Sequence, residues 1–139
     1  MIILDTNVVS ELMDSRPNAA VISWLDRQAW TSLWTTSITI MEVRYGLAIM
    51  PAGRRRSQRE AAFTRLIEYN FERRVLVFDH TAAEETGSLM GTRHRTGKRG
   101  DLRDTMIAGI ALAQRATLAT RNARFFDDLS VLVVDPWSA

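Results

Sequence analysis

The sequence predicts an α/β fold in which helices flank a parallel-type central sheet of about five short strands. The first observation behind this prediction is that short apolar runs alternate along the chain with longer amphipathic stretches. The second is that a hydroxyl or acidic residue stands near the start of several amphipathic stretches, where it would cap a helix. The third is that no repeat, linker or low-complexity segment interrupts the pattern, so residues 1–139 are predicted to form one domain.

The predicted strands are apolar runs bounded by turn residues, a pattern typical of strands buried in a parallel sheet. They span residues 2–5, 32–36, 75–79, 116–120 and 131–135. Ligands of such sheets bind at the carboxyl ends of the strands, where the following helices begin. The residues just after each strand are therefore the first candidates for a functional site.

The predicted helices fill the intervals between the strands. They span about 18–28, 40–50, 58–73, 82–95 and 102–115, with further turns near 122–128. Several helix starts match the capping-box pattern, in which a hydroxyl residue is followed three positions later by an acid. These pairs are Thr39 with Glu42, Ser57 with Glu60 and Thr81 with Glu84, and Asp101 is predicted to cap the helix that follows it.

Composition is ordinary for a globular protein, since 46% of the residues are apolar and 24% are charged. The chain has no cysteine, which excludes disulfides and cysteine-ligated zinc and agrees with a reducing compartment. No apolar run approaches the ~20 residues of a membrane span, and the amino terminus lacks the pattern of a signal peptide. We therefore expect a soluble, cytoplasmic protein with no membrane partner.

Arginine carries almost all of the positive charge. The chain has 18 Lys and Arg residues against 16 Asp and Glu residues, and Lys98 is the only lysine. The bases are concentrated in "GRRRSQR" (53–59) and "RHRTGKRGDLR" (93–103). A solvated charged face explains most such runs, but the planar guanidinium suits phosphate, so the arginine bias favours a nucleic-acid partner.

Three acids that are far apart in the sequence map to the carboxyl edge of the predicted sheet. Asp5 ends the first strand, Glu42 lies near the start of the helix after the second strand, and Asp104 lies in the first turn of a later helix. Helix capping, worth about 1 kcal/mol each, is one explanation for Glu42 and Asp104. Both residues are also in line with the apolar positions that their helices turn to the core.

Inward-facing carboxylates need a partner, because the burial of an unpaired charge is costly. Two carboxylates ~5 Å apart repel each other by about 3 kcal/mol at an effective dielectric constant of 20. A divalent cation removes this repulsion, and carboxylate oxygens are its preferred ligands. The spacing therefore leaves two interpretations open, a shared metal site and simple helix capping.

Four blocks of the sequence resemble, in order, the blocks of a known family. They are "LDTNVVSEL", "TSITIMEVRYGL", "GDLRDTMIAGIALAQRATLATRN" and "VDPW", and together they cover nearly the whole chain. The chain resembles the PIN-domain ribonucleases and, among them, the VapC and FitB type of bacterial toxin. This resemblance implies a metal-dependent endoribonuclease that uses Mg²⁺ or Mn²⁺, acts on RNA and is inhibited by a cognate antitoxin. It also implies a homodimer or a higher toxin–antitoxin assembly.

The resemblance assigns roles to individual residues. The acids of the family, which are its metal ligands and catalytic residues, fall on Asp5, Glu42 and Asp104. Thr6, Thr120 and Asn122 take supporting positions. Some relatives have a fourth acid where this chain has Asn122, and because an amide brings no charge, a second tightly held metal stays open. Apart from the resemblance, RNA needs cations beside an acidic pocket, and the bases expected to hold its backbone are Arg93, Arg95, Lys98, Arg99, Arg103 and Arg121.

Two other functions are compatible with parts of the sequence. "ILDTN" followed late by "FFDDL" resembles the haloacid-dehalogenase phosphatases, which use a strand-end aspartate as nucleophile and a later acid pair. That family has a second acid two positions after the nucleophile, where this chain has Asn7, and it leaves Glu42 and Asp104 without a role. The other alternative is a PIN-fold binding module without nuclease activity, which the loss of an acid would favour, but all three acids are present.

Overall fold

Five strands and six helices alternate along the chain in a computed structural model that describes residues 1–139. The strands are β1 (Ile2–Leu4), β2 (Leu33–Thr36), β3 (Val75–Leu76), β4 (Thr117–Ala119) and β5 (Val133–Val134). The helices are α1 (Thr6–Leu12), α2 (Ala19–Asp26), α3 (Ser37–Ile49), α4 (Arg54–Arg65), α5 (His80–Thr96) and α6 (Leu102–Gln114). A π-helical turn (Leu66–Asn70) extends α4, and 3-10 turns form at Trp30–Ser32 and Ala123–Phe126.

All five strands pair in parallel, in the order β3-β2-β1-β4-β5. β1 lies at the centre, where Ile2 pairs with Leu33 on one side and with Thr117 on the other. The chain builds outward from β1 to β3 and then crosses to the other side of β1 for β4 and β5. The predicted α/β class and parallel sheet are confirmed, and the boundary between β1 and β4 is the point at which such sheets bind ligands.

Two apolar clusters cover the two faces of the sheet. Consecutive residues of β1 point to opposite faces, so Leu4 belongs to one cluster and Ile3 to the other, and both are fully buried. Helices α1 to α4 pack mainly on the Leu4 face, while α5 and α6 pack on the Ile3 face. No helix is both long enough and apolar enough to span a bilayer.

The capping-box predictions for three helices are wrong, because other residues begin these helices. Thr36 caps α3 by accepting a hydrogen bond from the Thr39 backbone N–H, at 3.1 Å. Asp79 caps α5, and α4 begins after Gly53 without a side-chain cap. Asp101 caps α6 as predicted. The predicted cap positions Thr39, Ser57 and Thr81 lie inside helices instead, and α1 is a helix that the predicted set lacked.

Candidate active site

Asp5 follows the central strand β1 and is the N-cap of α1. Its side chain is buried, with 3% of the residue exposed. One carboxylate oxygen accepts a hydrogen bond from the Thr6 backbone N–H at 2.8 Å, which is the ordinary bond of a cap. The other accepts a bond from the Thr120 hydroxyl at 2.8 Å. A capping role alone would not need this second bond, which the strand order makes possible by placing β4 beside β1.

Glu42 lies in the second turn of α3, and a hydrogen bond from the Thr6 hydroxyl connects its carboxylate to α1. The Thr6 hydroxyl donates to Glu42 Oε1 at 2.8 Å and lies 3.0 Å from the Thr39 hydroxyl. On the other side, Arg103 Nη1 lies 3.9 Å from Glu42 Oε2. Thr6 and Arg103 therefore hold the Glu42 carboxylate between α1 and α6.

Asp104 lies in the first turn of α6, three positions after the N-cap residue Asp101. Its backbone N–H donates to Asp101 Oδ1 at 3.4 Å. Its own carboxylate, which is partly buried, accepts no hydrogen bond from the chain. Asp104 therefore offers a carboxylate with free oxygens beside the site.

The three acids influence one another electrostatically. The pKa of Asp5 is raised from 3.8 to about 6, chiefly by burial; the charges of Asp104 and Glu42 add to the rise, and hydrogen bonds from Thr120 and Thr6 oppose it. Burial also raises the pKa of Asp104, and the charges of Asp101 and Glu42 add to this effect. The sheet edge therefore stores repulsion that a cation would relieve.

The three acids offer carboxylate oxygens, which are the type of ligand atom that a hard divalent cation prefers. No three His, Asp or Glu side chains stand close enough together to ligate one ion directly. However, Mg²⁺ keeps several of its waters and needs only one or two protein carboxylates. Asp5 and Asp104 would supply two such carboxylates, and Glu42 lies close enough for its charge to raise the pKa values of both.

A layer of amide and hydroxyl groups supports Asp5. Besides donating to Asp5, the Thr120 hydroxyl accepts from Asn7 Nδ2 at 3.3 Å and from the Asn122 backbone N–H at 3.2 Å. Asn7 Oδ1 in turn accepts from the Arg121 backbone N–H at 3.2 Å. These bonds tie the start of α1 to the segment after β4 and fix the orientation of the Asp5 carboxylate.

Thr39 is a site residue that sequence reasoning assigned to a different task. Predicted as a helix cap, it is instead fully buried inside α3, with its hydroxyl in contact with those of Thr6 and Thr36. The available signal was its position three residues before Glu42, which places both side chains on the same face of the helix.

The prediction that Arg93 binds substrate is wrong, because the structure buries this side chain. All three of its guanidinium nitrogens donate hydrogen bonds inside the protein. Nε and Nη2 bind the Asp128 carboxylate at 2.8 and 3.0 Å, Nη1 binds the Thr105 hydroxyl at 3.2 Å, and Nη2 also binds the Phe125 carbonyl at 3.1 Å. Lys98 is similarly engaged, with ion pairs to Asp127 at 2.6 Å and to Asp128 at 3.1 Å.

The other predicted bases are exposed. Arg103 pairs with Asp101 at 3.4 Å and reaches toward Glu42, while the Arg121 guanidinium lies 5.1 Å from the centre of the Trp137 ring. Arg95 and Arg99 lie on the surface near the end of α5. Arg55 and Arg59, from the other basic run, line a cleft of about 420 Å³ whose wall also contains Glu42 and Thr6.

The acid pair of "FFDDL" does not face Asp5. Asp127 and Asp128 bind Lys98 and Arg93 instead, and these ion pairs hold the pKa of Asp128 at about 2, chiefly through the hydrogen bonds from Arg93. The acid pair that a haloacid-dehalogenase phosphatase requires beside its nucleophile is therefore not formed.

Comparison with known proteins shows which family this chain belongs to. The family model described as "PIN domain" matches residues 2–131. The chain is 38% identical over 139 residues to the plasmid stability protein StbB of Pseudomonas syringae pv. tomato, with 100% of both chains covered. It is 37% identical over 137 residues to the VapC ribonuclease Y4jK of Sinorhizobium fredii, which covers 99% of this chain and 98% of the relative.

Proteins of the FitB type are similar in both sequence and structure. The toxin FitB of Neisseria gonorrhoeae is 32% identical over 137 residues, with 99% of each chain covered. The crystal structure of FitAcB from the same organism matches with a TM-score of 0.87 at 32% identity and covers 100% of both chains. The chain therefore belongs to the PIN-domain family, where its relatives include proteins of the VapC and FitB type.

Proposed function

We propose that this protein is a metal-dependent endoribonuclease that hydrolyses RNA phosphodiester bonds in the cytoplasm and is the toxin of a toxin–antitoxin pair. The observation that carries the proposal is the buried Asp5 carboxylate at the centre of the sheet. It is oriented by Thr6 and Thr120 and repelled by two further acids, Glu42 and Asp104. A pure helix cap would need neither the burial nor the added repulsion. Relatives named as a ribonuclease and as a toxin support the assignment.

In this proposal Asp5 and Asp104 hold Mg²⁺ or Mn²⁺, with Glu42 as a further ligand or as the group that positions a water. The cation supplies charge for the scissile phosphate and a bound water of lowered pKa. The contribution of the chain is to orient these carboxylates. Thr120 and the Thr6 backbone hold Asp5, and the Thr6 hydroxyl holds Glu42.

The exposed bases around the three acids supply the electrostatic attraction for RNA that the acids themselves cannot provide. RNA brings one negative charge per nucleotide to a site that is itself acidic, so cations must flank the path of the strand. We propose that Arg95, Arg99, Arg103 and Arg121 do so, without the buried Arg93 and the ion-paired Lys98.

The cleft of about 420 Å³ between α1, α3 and α4 is the proposed contact for the antitoxin. Apolar side chains of Met13 and Leu47 line it, and charged residues of both signs lie along its walls, namely Glu11, Asp14, Glu42, Arg55 and Arg59. An antitoxin segment with apolar anchors and a basic side chain fits this combination. An arginine that reached Glu42 would pair with its carboxylate bidentately and occupy the site.

An exposed apolar stripe on α3 is the proposed contact for a second copy of the chain. Met41, Tyr45 and Ile49 recur every four residues and are 49%, 59% and 65% exposed. Aligned apolar side chains of this size mark an interaction surface rather than scattered exposure. We therefore propose a homodimer, on which a higher assembly with the antitoxin would build.

A chelator-sensitive nuclease assay tests the proposed activity. Purified protein should cleave single-stranded RNA in Mg²⁺ or Mn²⁺ and stop in EDTA. Either ion should also raise the melting temperature, since it binds the folded site. Asp104→Asn should remove most activity and reduce the shift in melting temperature. Cleavage by metal-free protein would contradict the mechanism, and RNA binding without cleavage would favour the binding-module alternative.

Co-expression tests the toxin assignment separately. We expect expression of the chain alone to arrest growth, and expression together with a small DNA-binding protein encoded beside it to restore growth. A chain that cleaves RNA in vitro but is harmless without any such neighbour would leave the nuclease standing and overturn the toxin assignment.

A further inference from the structure

A second cavity, of about 360 Å³, has Asp104 in its wall and lies apart from the cleft that contains Glu42. The loop between α5 and α6, the start of α6 and the 3-10 turn Ala123–Phe126 enclose it. Its volume is within the range of small-ligand sites. Asp104 and Arg99 in its wall have roles proposed above, as metal ligand and as a base beside the RNA strand, but Phe125 and the Asn122 side chain have none.

An exposed aromatic ring forms part of the cavity wall. Phe125 is 51% exposed, whereas the next residue, Phe126, is 1% exposed and anchors the turn in the core. The Phe125 carbonyl accepts a hydrogen bond from the buried Arg93, so the backbone that carries the ring is held in place. The Arg124 guanidinium lies over one face of the ring, 5.2 Å from its centroid, and brings a positive charge to that face. The face of the exposed ring opposite Arg124 is the candidate stacking surface.

Two flat polar groups with free donors share the cavity. The side-chain amide of Asn122 forms no hydrogen bond within the chain, since only its backbone is engaged. The exposed guanidinium of Arg99 likewise forms no ion pair within the chain. Amide and guanidinium groups pair with the polar edges of nucleobases, while aromatic rings pair with their faces.

The cavity is preformed by a rigid frame. Gly100 packs so closely on Arg93 that a Cβ at this position would lie 2.8 Å from the Arg93 Nη1 atom. Arg93 is itself fixed by Asp128 and Thr105. These contacts brace the backbone around the cavity, which reduces the conformational entropy lost when a ligand binds.

We propose that this cavity is a nucleobase subsite, in which an unpaired base beside the scissile phosphate stacks on Phe125 and turns its edge to Asn122 and Arg99. The proposal rests on the proposed ribonuclease function, because Asp104 lies in the same wall. Stacking strength grows with ring area and sets modest sequence preferences in single-strand binding. The subsite therefore favours a purine over a pyrimidine.

The test compares steady-state cleavage of single-stranded RNA of random sequence by the wild type and by Phe125 variants, with product ends mapped by sequencing. Phe125→Ala should raise KM about tenfold and remove the purine preference, because one stacked base contributes a factor of this order. Phe125→Trp should retain both properties. Phe125→Leu, which keeps apolar volume without a ring, should behave like Phe125→Ala and carries the test if the alanine variant does not fold.

Tyr69→Ala is the matched control, since it removes another exposed aromatic, 77% exposed, from the π-helical turn before β3. It should leave KM and preference unchanged. Binding of a short labelled RNA to the non-cleaving Asp5→Asn protein, with and without Phe125→Ala, gives a second readout, with about a tenfold loss expected.

The outcomes separate the two proposals. Unchanged KM, RNA affinity and base preference in Phe125→Ala would overturn the subsite and leave the nuclease standing. Weaker RNA binding in Phe125→Ala, together with a wild type that does not cleave, would overturn the nuclease and support the subsite. A wild type that neither cleaves nor binds RNA would overturn both.

Discussion

At the scale of single residues, Asp5 is the N-cap of α1 and, in the proposed function, also a metal ligand, two tasks that the sequence presents as alternatives. It caps α1 through the Thr6 backbone N–H, and its second oxygen is held by Thr120. Asparagine caps a helix as well as aspartate does. A substitution that keeps the cap and removes the charge therefore separates the two tasks.

We predict that Asp5→Asn folds but does not cleave RNA. Supporting residues around a metal are worth about 10–100-fold, so loss of a ligand should reduce cleavage by more than about 100-fold. Stability without metal should hold or rise, because the repulsion from Glu42 and Asp104 is removed. The measurements are RNA cleavage and melting temperature, each with and without Mg²⁺.

Glu60→Gln is the matched control for Asp5→Asn. Glu60 is not a cap but a partly buried residue of α4 that pairs with Arg56 at 2.9 Å. Loss of this surface pair should cost no more than about 0.5 kcal/mol and leave cleavage intact. An Asp5→Asn protein that still cleaves and still responds to Mg²⁺ would refute the assignment of Asp5 as a metal ligand.

At the scale of elements, the contact between α5 and α6 determines where Asp104 lies. Gly109 of α6 sits against α5 so closely that a Cβ would lie 1.8 Å from the Thr86 hydroxyl and 2.8 Å from the Ala82 carbonyl. The second of these atoms is backbone and has little freedom to move. Because Gly109 has no side chain, α6, which carries Asp104, can pack this closely against α5.

We predict that Gly109→Ala destabilises the protein by about 1–3 kcal/mol through overpacking, in spite of its gain in helix propensity. Gly87→Ala is the control within α5, because a Cβ there meets nothing within 4 Å. It should stabilise the protein by about 0.5–1 kcal/mol. Urea denaturation measures both, and equal stabilities would show that the α5–α6 contact relaxes at little cost.

At the scale of the whole molecule, one ion pair connects α5 to the chain after β4. Arg93 and Asp128 bind through two hydrogen bonds, and the pKa of Asp128 is lowered from 3.8 to about 2, chiefly by Arg93 with a further contribution from Lys98. Since the folded-state pKa is below the ordinary value, the stabilisation is complete above about pH 4. It is lost as the pH falls through about 2.

We predict that Asp128→Asn lowers the melting temperature at pH 7 and weakens its dependence on pH between about 4 and 2. At neutral pH the variant leaves the buried Arg93 charge without its counter-ion, at a cost of up to about 3 kcal/mol. Melting curves from pH 7 to pH 2 measure both effects. Asp26→Asn, an exposed aspartate at the end of α2, should change neither. A full acid transition in Asp128→Asn would show that other carboxylates control it.

The sequence by itself determined the class of fold and the positions of the candidate acids. Alternation of apolar runs and amphipathic stretches requires a sheet covered by helices, and parallel strands bring their carboxyl ends to one edge. Asp5, Glu42 and Asp104 follow such strand ends or begin such helices, so the pattern indicated their common edge, and the four resembling blocks indicated the PIN family that the comparisons show. Both inferences depend on periodicity and order, which a sequence displays directly.

Tertiary structure alone decided which side chains meet. The pair of β1 and β4 brings Thr120 to Asp5 across 115 positions, and no local pattern encodes a strand order. Arg93 belongs to a run of bases whose sequence pattern predicts exposure along its whole length. It is nevertheless buried, because Asp128, from a distant segment of the chain, pairs with its charge. The helix caps were misjudged because capping-box patterns also occur inside polar helices, where backbone donors are already paired. Contacts between distant segments depend on tertiary packing, which no local sequence pattern specifies.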